Sequence, residues 1–398
     1  MAKDLDVLRP WAVKFELISA GDAVIEQELQ TRVLQFFDWF DEDENEDQCR
    51  NLTSIGDCID LEYMELLQEA RNDEEIKTLE ECKLWIINDI LDDIGSNDVY
   101  DLLINTDYKD CEGELFLSWD GFGYETILDV IMQEFLSDNS EVSIFDKILL
   151  EKAAIRIANW NTEDKVDVTC QDGSVYAADH VIFTPSVGVL KSEHATLFDP
   201  GLSEEKIHAI QNIGYGSTAK IVLHFPEQIE NFEYVAIIWS PEELSAAKEA
   251  NKTWLSNLAG IWRMESDHRV LVSWYAGENV NDIEYLNDQE VFEGQKYLIE
   301  KILGPKFGMG LPDQFIRSSW YSNPHFKGTS SYESVTGYKY GGRNLPEKLG
   351  LPLLNDRGVP KILFAGEATH PYYFSTVHGA IETGYREADR LIDLYNFK

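Results

Sequence analysis

The stretch KILFAGEATHPYYFSTVHGAIETGYREADRLIDLY, residues 361–395, restricts the fold more than any other part of this chain. The apolar run from Lys361 to Ala365 reads as a short buried strand. Gly366 and Glu367 follow at once, and an amphipathic helical pattern restarts at Ser375. A strand that stops at glycine lets another molecule approach its backbone, and Glu367 is placed to accept hydrogen bonds from hydroxyls. Ser375 is the expected N-cap. Thr376, Val377 and His378 then open the helix with free N–H groups, whose dipole favours negative charge on whatever sits there. Gly379, Ala380, Gly384 and Ala388 leave one side of the helix small. Two readings stay open at this level: a strand–loop–helix site for an anion or cofactor, or an ordinary αβ packing unit.

Upstream, the hydrophobic period changes once. From about Trp11 to Phe135 it is mainly helical, with Ile25, Leu29, Val33, Leu34, Phe37 and Phe40 on one face. Leu61, Met64 and Leu67 follow the same period, as do Leu84, Ile87, Ile90 and Leu91. The acidic run DEDENED, Asp41 to Asp47, reads as a solvated loop. A helix is expected from Thr126 to Phe135. Alternation then takes over: Glu141 to Trp160, Val166 to Cys170, and the apolar run His180 to Ser186 read as strands. LSEEKIHAI predicts a helix capped by Ser203. Strands are expected at Lys220 to Phe225 and Arg269 to Gly277, and a helix at Glu290 to Leu303. Helices, then mixed strands, then an αβ unit predict an α/β or mixed α+β fold of two interleaved parts. We find no internal repeat.

Charge narrows the partners. Lys and Arg total 33 against 73 Asp and Glu, giving −40. Nucleic acid is an unlikely partner for such a surface, because phosphate binding needs a basic face. A negative field concentrates cations, amines included, although the charge also serves plain solubility. Five scattered cysteines (Cys49, Cys58, Cys82, Cys111, Cys170) without a CxxC argue against a disulfide framework or a metal site and fit a reducing compartment. Asn51 and Asn251 begin glycosylation sequons, matches that arise readily by chance. No apolar segment follows Met1 and no run suits a membrane span, so a cytoplasmic protein is expected.

Several ordered blocks identify more. FAGEATH, STVHGA and GYREADRL closely resemble the C-terminal FAD-binding segment of the flavin-dependent amine oxidases, especially the spermine and polyamine oxidase branch. ADHVIFTPSVGVLK (Ala178 to Lys191), LFDPGLSEEKIHAIQNIGYGSTAKIVLHF (Leu197 to Phe225), VLVSWYAG (Val270 to Gly277) and SWYSNPHFKGTSSY (Ser319 to Tyr332) look like consecutive family blocks. FLSWDGFGYETILDVIM, Phe116 to Met132, is similar to the block before them. The resemblance runs from about residue 115 onward. It implies an FAD-binding Rossmann-like domain, incomplete here, interleaved with a mixed-sheet and helical substrate domain. The implied parts are 1–135 (substrate domain, helical), 136–192 (FAD domain), 193–330 (substrate domain) and 331–398 (FAD domain).

The same resemblance implies roles. Glu367 would hold the ribitol or diphosphate side of FAD. Ser375, Thr376 and Val377 would bind the cofactor, the backbone at Thr376 and Val377 facing the pyrimidine end of the isoalloxazine, where a helix N-terminus stabilises the reduced flavin anion. Trp320 would lie beside the flavin. Ile155 is a candidate for an adenine contact, with ordinary core as the alternative. Lys220, in GSTAKIVLHF, matches the family lysine that holds a water near flavin N5, although a lone lysine at a strand start is more often a surface residue. Thr376, Ser330 and Tyr332 would line the substrate pocket. The implied reaction is polyamine oxidation by hydride transfer to flavin N5, with O2 reduced to peroxide.

The chain departs from the family pattern in two places. A strand, G-x-G-x-x-G and a helix should come first, with an acidic residue about 20 positions later. These 398 residues hold no such unit, since Gly214-Tyr-Gly216-Ser-Thr-Ala219 leads into a strand. The chain looks like a family member without roughly its first hundred residues, so FAD binding is expected to be impaired. A catalytically silent, polyamine-binding or interaction protein is the alternative. Ser330 also replaces the aromatic residue expected in the substrate wall.

Overall fold

A computed structural model describes residues 8–11, 13–40, 49, 51–109, 117–119, 121–135, 147–162 and 164–395. Its centre is a six-stranded sheet in the order Gln314–Arg317, Ala219–His224, Val270–Tyr275, Leu258–Arg263, Tyr234–Ile238, Phe15–Ser19. Neighbours are antiparallel except the last pair, which is parallel. Along Ala219–His224 burial alternates. Ala219, Ile221 and Leu223 enter one core with Val235, Ile237, Ile261, Leu271 and Tyr275, so the period of two turns Lys220 to the opposite face.

On that opposite face lie the helices Gln27–Phe40, Ile55–Gln68 and Asp73–Ile94, with Val33, Ile59, Tyr63, Cys82, Trp85 and Ile86 packed on Leu17, Tyr234, Ala236 and Ile238. Trp85 Nε1 donates to the Ala259 carbonyl at 2.8 Å, and Asn88 Nδ2 to the Ser256 carbonyl at 2.7 Å, which fixes the helix Asp73–Ile94 across the sheet. Its C-terminal turn is held too: Gly95 takes the left-handed conformation (φ 79°), and Asn97 Nδ2 donates to the Gly277 carbonyl at 3.1 Å.

A second body surrounds another core, built from Ile157, Phe183, Leu190, Phe198, Ile210, Leu349, Ile362 and Phe364. Val181–Phe183 pairs in parallel with Pro360–Phe364, matching Phe183 to Phe364, and Leu353–Leu354 closes the other side of Pro360–Phe364. A four-stranded sheet, Val175–Ala178, Val166–Cys170, Ala154–Ala158, Phe198–Asp199, lies alongside. Among the described residues, Val181–Phe183 has a partner on one edge only.

Several expectations need correction. Phe15–Ser19 is a strand within a region read as helical; its parallel partner Tyr234–Ile238 is distant in sequence and gives no local sign. Tyr234–Ile238 and Leu258–Arg263 were not anticipated, because strands buried on both faces show no alternation. In Ile55–Gln68 the buried face is Cys58, Ile59, Glu62 and Tyr63, while Leu61 and Met64 are 37% and 55% exposed. The expected helix at Glu290 to Leu303 is Asp288–Leu298 followed by a π-helical turn, Ile299–Leu303. Of the expected strand at Glu141 to Trp160, only Ala154–Ala158 is extended, and 141–146 fall outside the described residues, as does the acidic run 41–47. Cys49 and Cys58 form a disulfide, against the expectation of free thiols. Leu52 N bonds back to the Cys49 carbonyl just before the helix begins, so the two side chains meet. Cys82 and Cys170 are buried free thiols.

Candidate active site

Lys220 stands directly across from Trp274 in the antiparallel register, so the two side chains share a face. The ammonium lies 3.8 Å from the Trp274 ring centre and 5.6 Å from that of Trp320, and the two indoles stack 6.5 Å apart. Such seats favour the charged form, whereas burial pushes the Lys220 pKa down, with Asp92 opposing that shift. Ser318 brackets the lysine backbone: its N–H donates to the Lys220 carbonyl at 2.8 Å, and its hydroxyl accepts from Lys220 N at 2.9 Å. Two residues later, Trp320 N–H donates to Glu284 at 2.8 Å.

The loop after Trp320 ties this face to the closing αβ unit. Gly328 N donates to the Trp320 carbonyl at 3.2 Å, Thr329 N to the Gly216 carbonyl at 2.9 Å, and Gly216 N to the Ser330 carbonyl at 3.2 Å. The hydroxyl of Ser331 then donates to Glu367 Oε2 at 2.5 Å, and Ser375 N–H reaches the same oxygen at 2.7 Å. Burial raises the Glu367 pKa, and these donors act in the other direction. Lys220, Trp320, Ser331, Glu367 and Ser375 therefore belong to one bonded frame.

Within it, Gly366 sits at φ 132°, where a side chain would be strained, and a Cβ built there would have only the Thr184 carbonyl, at 3.8 Å, within contact range. The strand end is open to an approaching group. The helix cap is Thr376 rather than Ser375: Gly379 N donates to Thr376 Oγ1 at 3.0 Å, and Ser375 occupies a left-handed conformation (φ 68°) that turns the chain into the helix. Val377, at the first turn of Val377–Tyr395, is 43% exposed. The small side of this helix is not a continuous packing face. Gly379 presses on the Tyr373 carbonyl, but nothing lies within 4 Å of a Cβ built at Gly384.

The remaining expected site residues divide. Ser330 turns its hydroxyl toward Gly95 at the end of Asp73–Ile94, and Tyr332 OH lies 3.3 Å from Asp101 Oδ2, its pKa pushed up to about 12 by burial. Both residues therefore line the helix end. Ile155 lies on the separate four-stranded sheet and is 51% exposed, so the core alternative does not hold for it.

The acidic side chains escaped sequence reading. Asp89, Asp92 and Asp93 occupy the last turns of Asp73–Ile94, where the helix dipole is already negative and no basic residue compensates. Tyr234 OH donates to Asp89 Oδ1 at 2.8 Å, and burial pushes the Asp89 pKa up to about 7. The Asp92 pKa is likewise raised well above the ordinary carboxylate range, first by burial and then by its two acidic neighbours, with Lys220 opposing. Its Oδ1 is enclosed without a hydrogen-bond partner. Three carboxylates at i, i+3 and i+4 share one helix face; that spacing was visible, but which face met Lys220 was not.

A flavin fits part of this frame. Gly366 leaves room at the strand end, Glu367 offers an acceptor, the Thr376 cap sets exposed Val377 at a helix N-terminus, and Trp320 with Lys220 forms an adjoining wall. The phosphate end has no glycine-rich strand–helix turn within these 398 residues.

Comparison with known proteins gives the family and the fold likeness of the chain. Residues 105–392 match the family described as flavin containing amine oxidoreductase. The peroxisomal N(1)-acetyl-spermine/spermidine oxidase of Bos taurus is 33% identical over 295 residues, covering 69% of this chain and 54% of that protein. The Homo sapiens protein of the same name is 35% identical over 270 residues, covering 63% and 51%. The chain thus spans about half the length of the curated relatives it matches. Among solved structures, cyclohexylamine oxidase from Brevibacterium oxydans aligns over 99% of this chain and 84% of its own, with TM-score 0.61 and 14% identity, a likeness of fold.

Proposed function

Since the chain belongs to the flavin-containing amine oxidoreductases, we propose that it oxidises polyamines, with FAD held between the closing αβ unit and the Lys220 face. The observation that carries this reading is the seat of Lys220 on Trp274 and Trp320, in a frame bonded through to Glu367. A bound flavin would supply the hydride acceptor for the carbon beside the amine nitrogen and pass the electrons on to O2.

The chain's own residues have separate tasks. Glu367 pins Ser331 and Ser375 and would hold the ribitol or diphosphate side of FAD as a hydrogen-bond acceptor. The Thr376–Val377 turn offers N–H groups and the positive end of the helix dipole, which would favour negative charge on a flavin held there. Lys220 would hold a polar group or water against the ring, and its burial-lowered pKa makes it readier than a solvated lysine to give up a proton. Asp92 and Asp89 place two carboxyl groups on the Lys220 side of the sheet, acceptors for the distal nitrogens of a polycation. The reacting nitrogen must be neutral for hydride to leave the carbon beside it.

The catalytically silent alternative rests on one specific observation: Val181–Phe183 lacks a described partner on one edge, where a parallel sheet would continue. One experiment separates the two. The purified chain is incubated with FAD, its flavin absorbance is recorded after desalting, and spermine is added without oxygen. A retained flavin bleached by spermine supports the oxidase; a colourless protein removes it; a retained flavin that spermine leaves oxidised moves the reading to the silent alternative.

A further inference from the structure

Asp92 sits where a charge is hard to keep. It lies in the last turn of the helix Asp73–Ile94, against the negative end of the dipole. On its own helix Asp89 and Asp93 face it; from the strand Tyr234–Ile238 comes the Tyr234 hydroxyl, bound to Asp89; and from Ala219–His224 comes Lys220. Lys220 is near enough to interact but does not form an ion pair with Asp92, because its ammonium is seated on Trp274. One oxygen of Asp92 is enclosed without a partner, while the side chain as a whole is only partly covered. Ser330, standing where an aromatic wall was expected, turns its small hydroxyl side chain toward Gly95, just after this turn.

Asp92, with an enclosed oxygen beside the Asp89 carboxyl and at a helix C-terminus, does not stay ionised together with Asp89 unless a cation joins them. We propose that Asp92 carries a proton in the unliganded chain and releases it to solvent when an alkylammonium group of a polyamine docks against it. In this exchange the Asp92 O–H bond breaks, the proton passes to water, and an N–H of the ligand ammonium donates to the freed carboxylate. No electrons move. The inference rests on the polyamine reading above and adds its regulation: binding is coupled to pH, strengthening as pH rises through the range in which free Asp92 is protonated. The burial-raised pKa of Asp92 agrees with this sign.

The test is isothermal titration of the full chain with spermine near pH 7, any flavin first reduced with dithionite so that no turnover occurs. Titrations in phosphate and in Tris, which differ in ionisation enthalpy, give the protons exchanged. The expected result is release of about one proton per spermine. It should vanish in Asp92→Asn, which keeps the side-chain volume, and persist in Lys220→Met, which excludes the lysine as its source. Spermine binding without proton release, or release that survives in Asp92→Asn, overturns the exchange and leaves the polyamine reading intact. Absence of spermine binding overturns both.

Discussion

Glu367 offers the sharpest test of how the site is held together. Three donors converge on one oxygen, Oε2: the Ser331 hydroxyl at 2.5 Å, Ser375 N–H at 2.7 Å and Ser331 N–H at 3.4 Å. In Glu367→Ala the two short bonds, at about 1.5–3 kcal/mol each for a charged acceptor, are lost; relief of the buried carboxylate offsets part of that. A net loss of about 2–4 kcal/mol is expected, and because the bonds are local it should fall on the loop and helix entry. Amide hydrogen exchange in peptides spanning 370–380 should therefore quicken by roughly 30- to 700-fold. Glu367→Gln should lose only about 1 kcal/mol, since the amide oxygen can take the place of Oε2. The folded-state pKa of Glu367 is raised, so its contribution is fully present below the ordinary glutamate range and fades as pH rises through the folded value. The Gln variant should accordingly close on the natural chain at higher pH. If Glu367→Ala changes exchange there by less than about threefold, Glu367 does not tie the two halves of the site and the reasoning fails.

Three further outcomes follow from the structure. Lys206 Nζ donates to the carbonyls of Leu349 (2.6 Å), Lys348 (3.1 Å) and Leu351 and lies 4.1 Å from the Phe364 ring centre, so Lys206→Met should lower stability by about 3 kcal/mol in urea unfolding. Burial lowers the Lys206 pKa from 10.5 to about 7, so the natural chain should gain stability as pH rises across that window, and the Met variant should not. Gly216→Ala would put a Cβ 2.1 Å from the Gly95 carbonyl oxygen and 2.8 Å from Ser96 Cα, backbone atoms that cannot swing aside. It should lose about 3 kcal/mol or push the Asp92 helix end away from Lys220, read as weaker spermine binding by titration. Lys220→Met should slow reoxidation of the reduced flavin by O2 by about 100-fold in stopped flow, and an unchanged rate would remove the lysine from proton handling.

Local signals settled what depended on neighbours in the chain. The strand Pro360–Phe364, its stop at Gly366 and the helix after it were legible because apolar period, glycine and cap residues are short-range properties, and the cap itself was displaced by one residue, to Thr376. Lys220 and Trp320 were reached through ordered blocks of resemblance; composition and period alone leave a lysine at a strand start on the surface.

Tertiary structure decided what depends on partners far along the chain. Phe15–Ser19 has no strand character apart from Tyr234–Ile238, and doubly buried strands hide the alternation that would announce them. Cys49 and Cys58 meet only because the chain reverses before Ile55. Asp89, Asp92 and Asp93 drew no reading from the sequence, since charge in sequence says nothing of what it will face. Trp85 and Asn88, bonded to the sheet at Ala259 and Ser256, fix the helix so that Asp92 turns to Lys220. Burial then raises the cost of charge, a quantity that no single residue carries by itself.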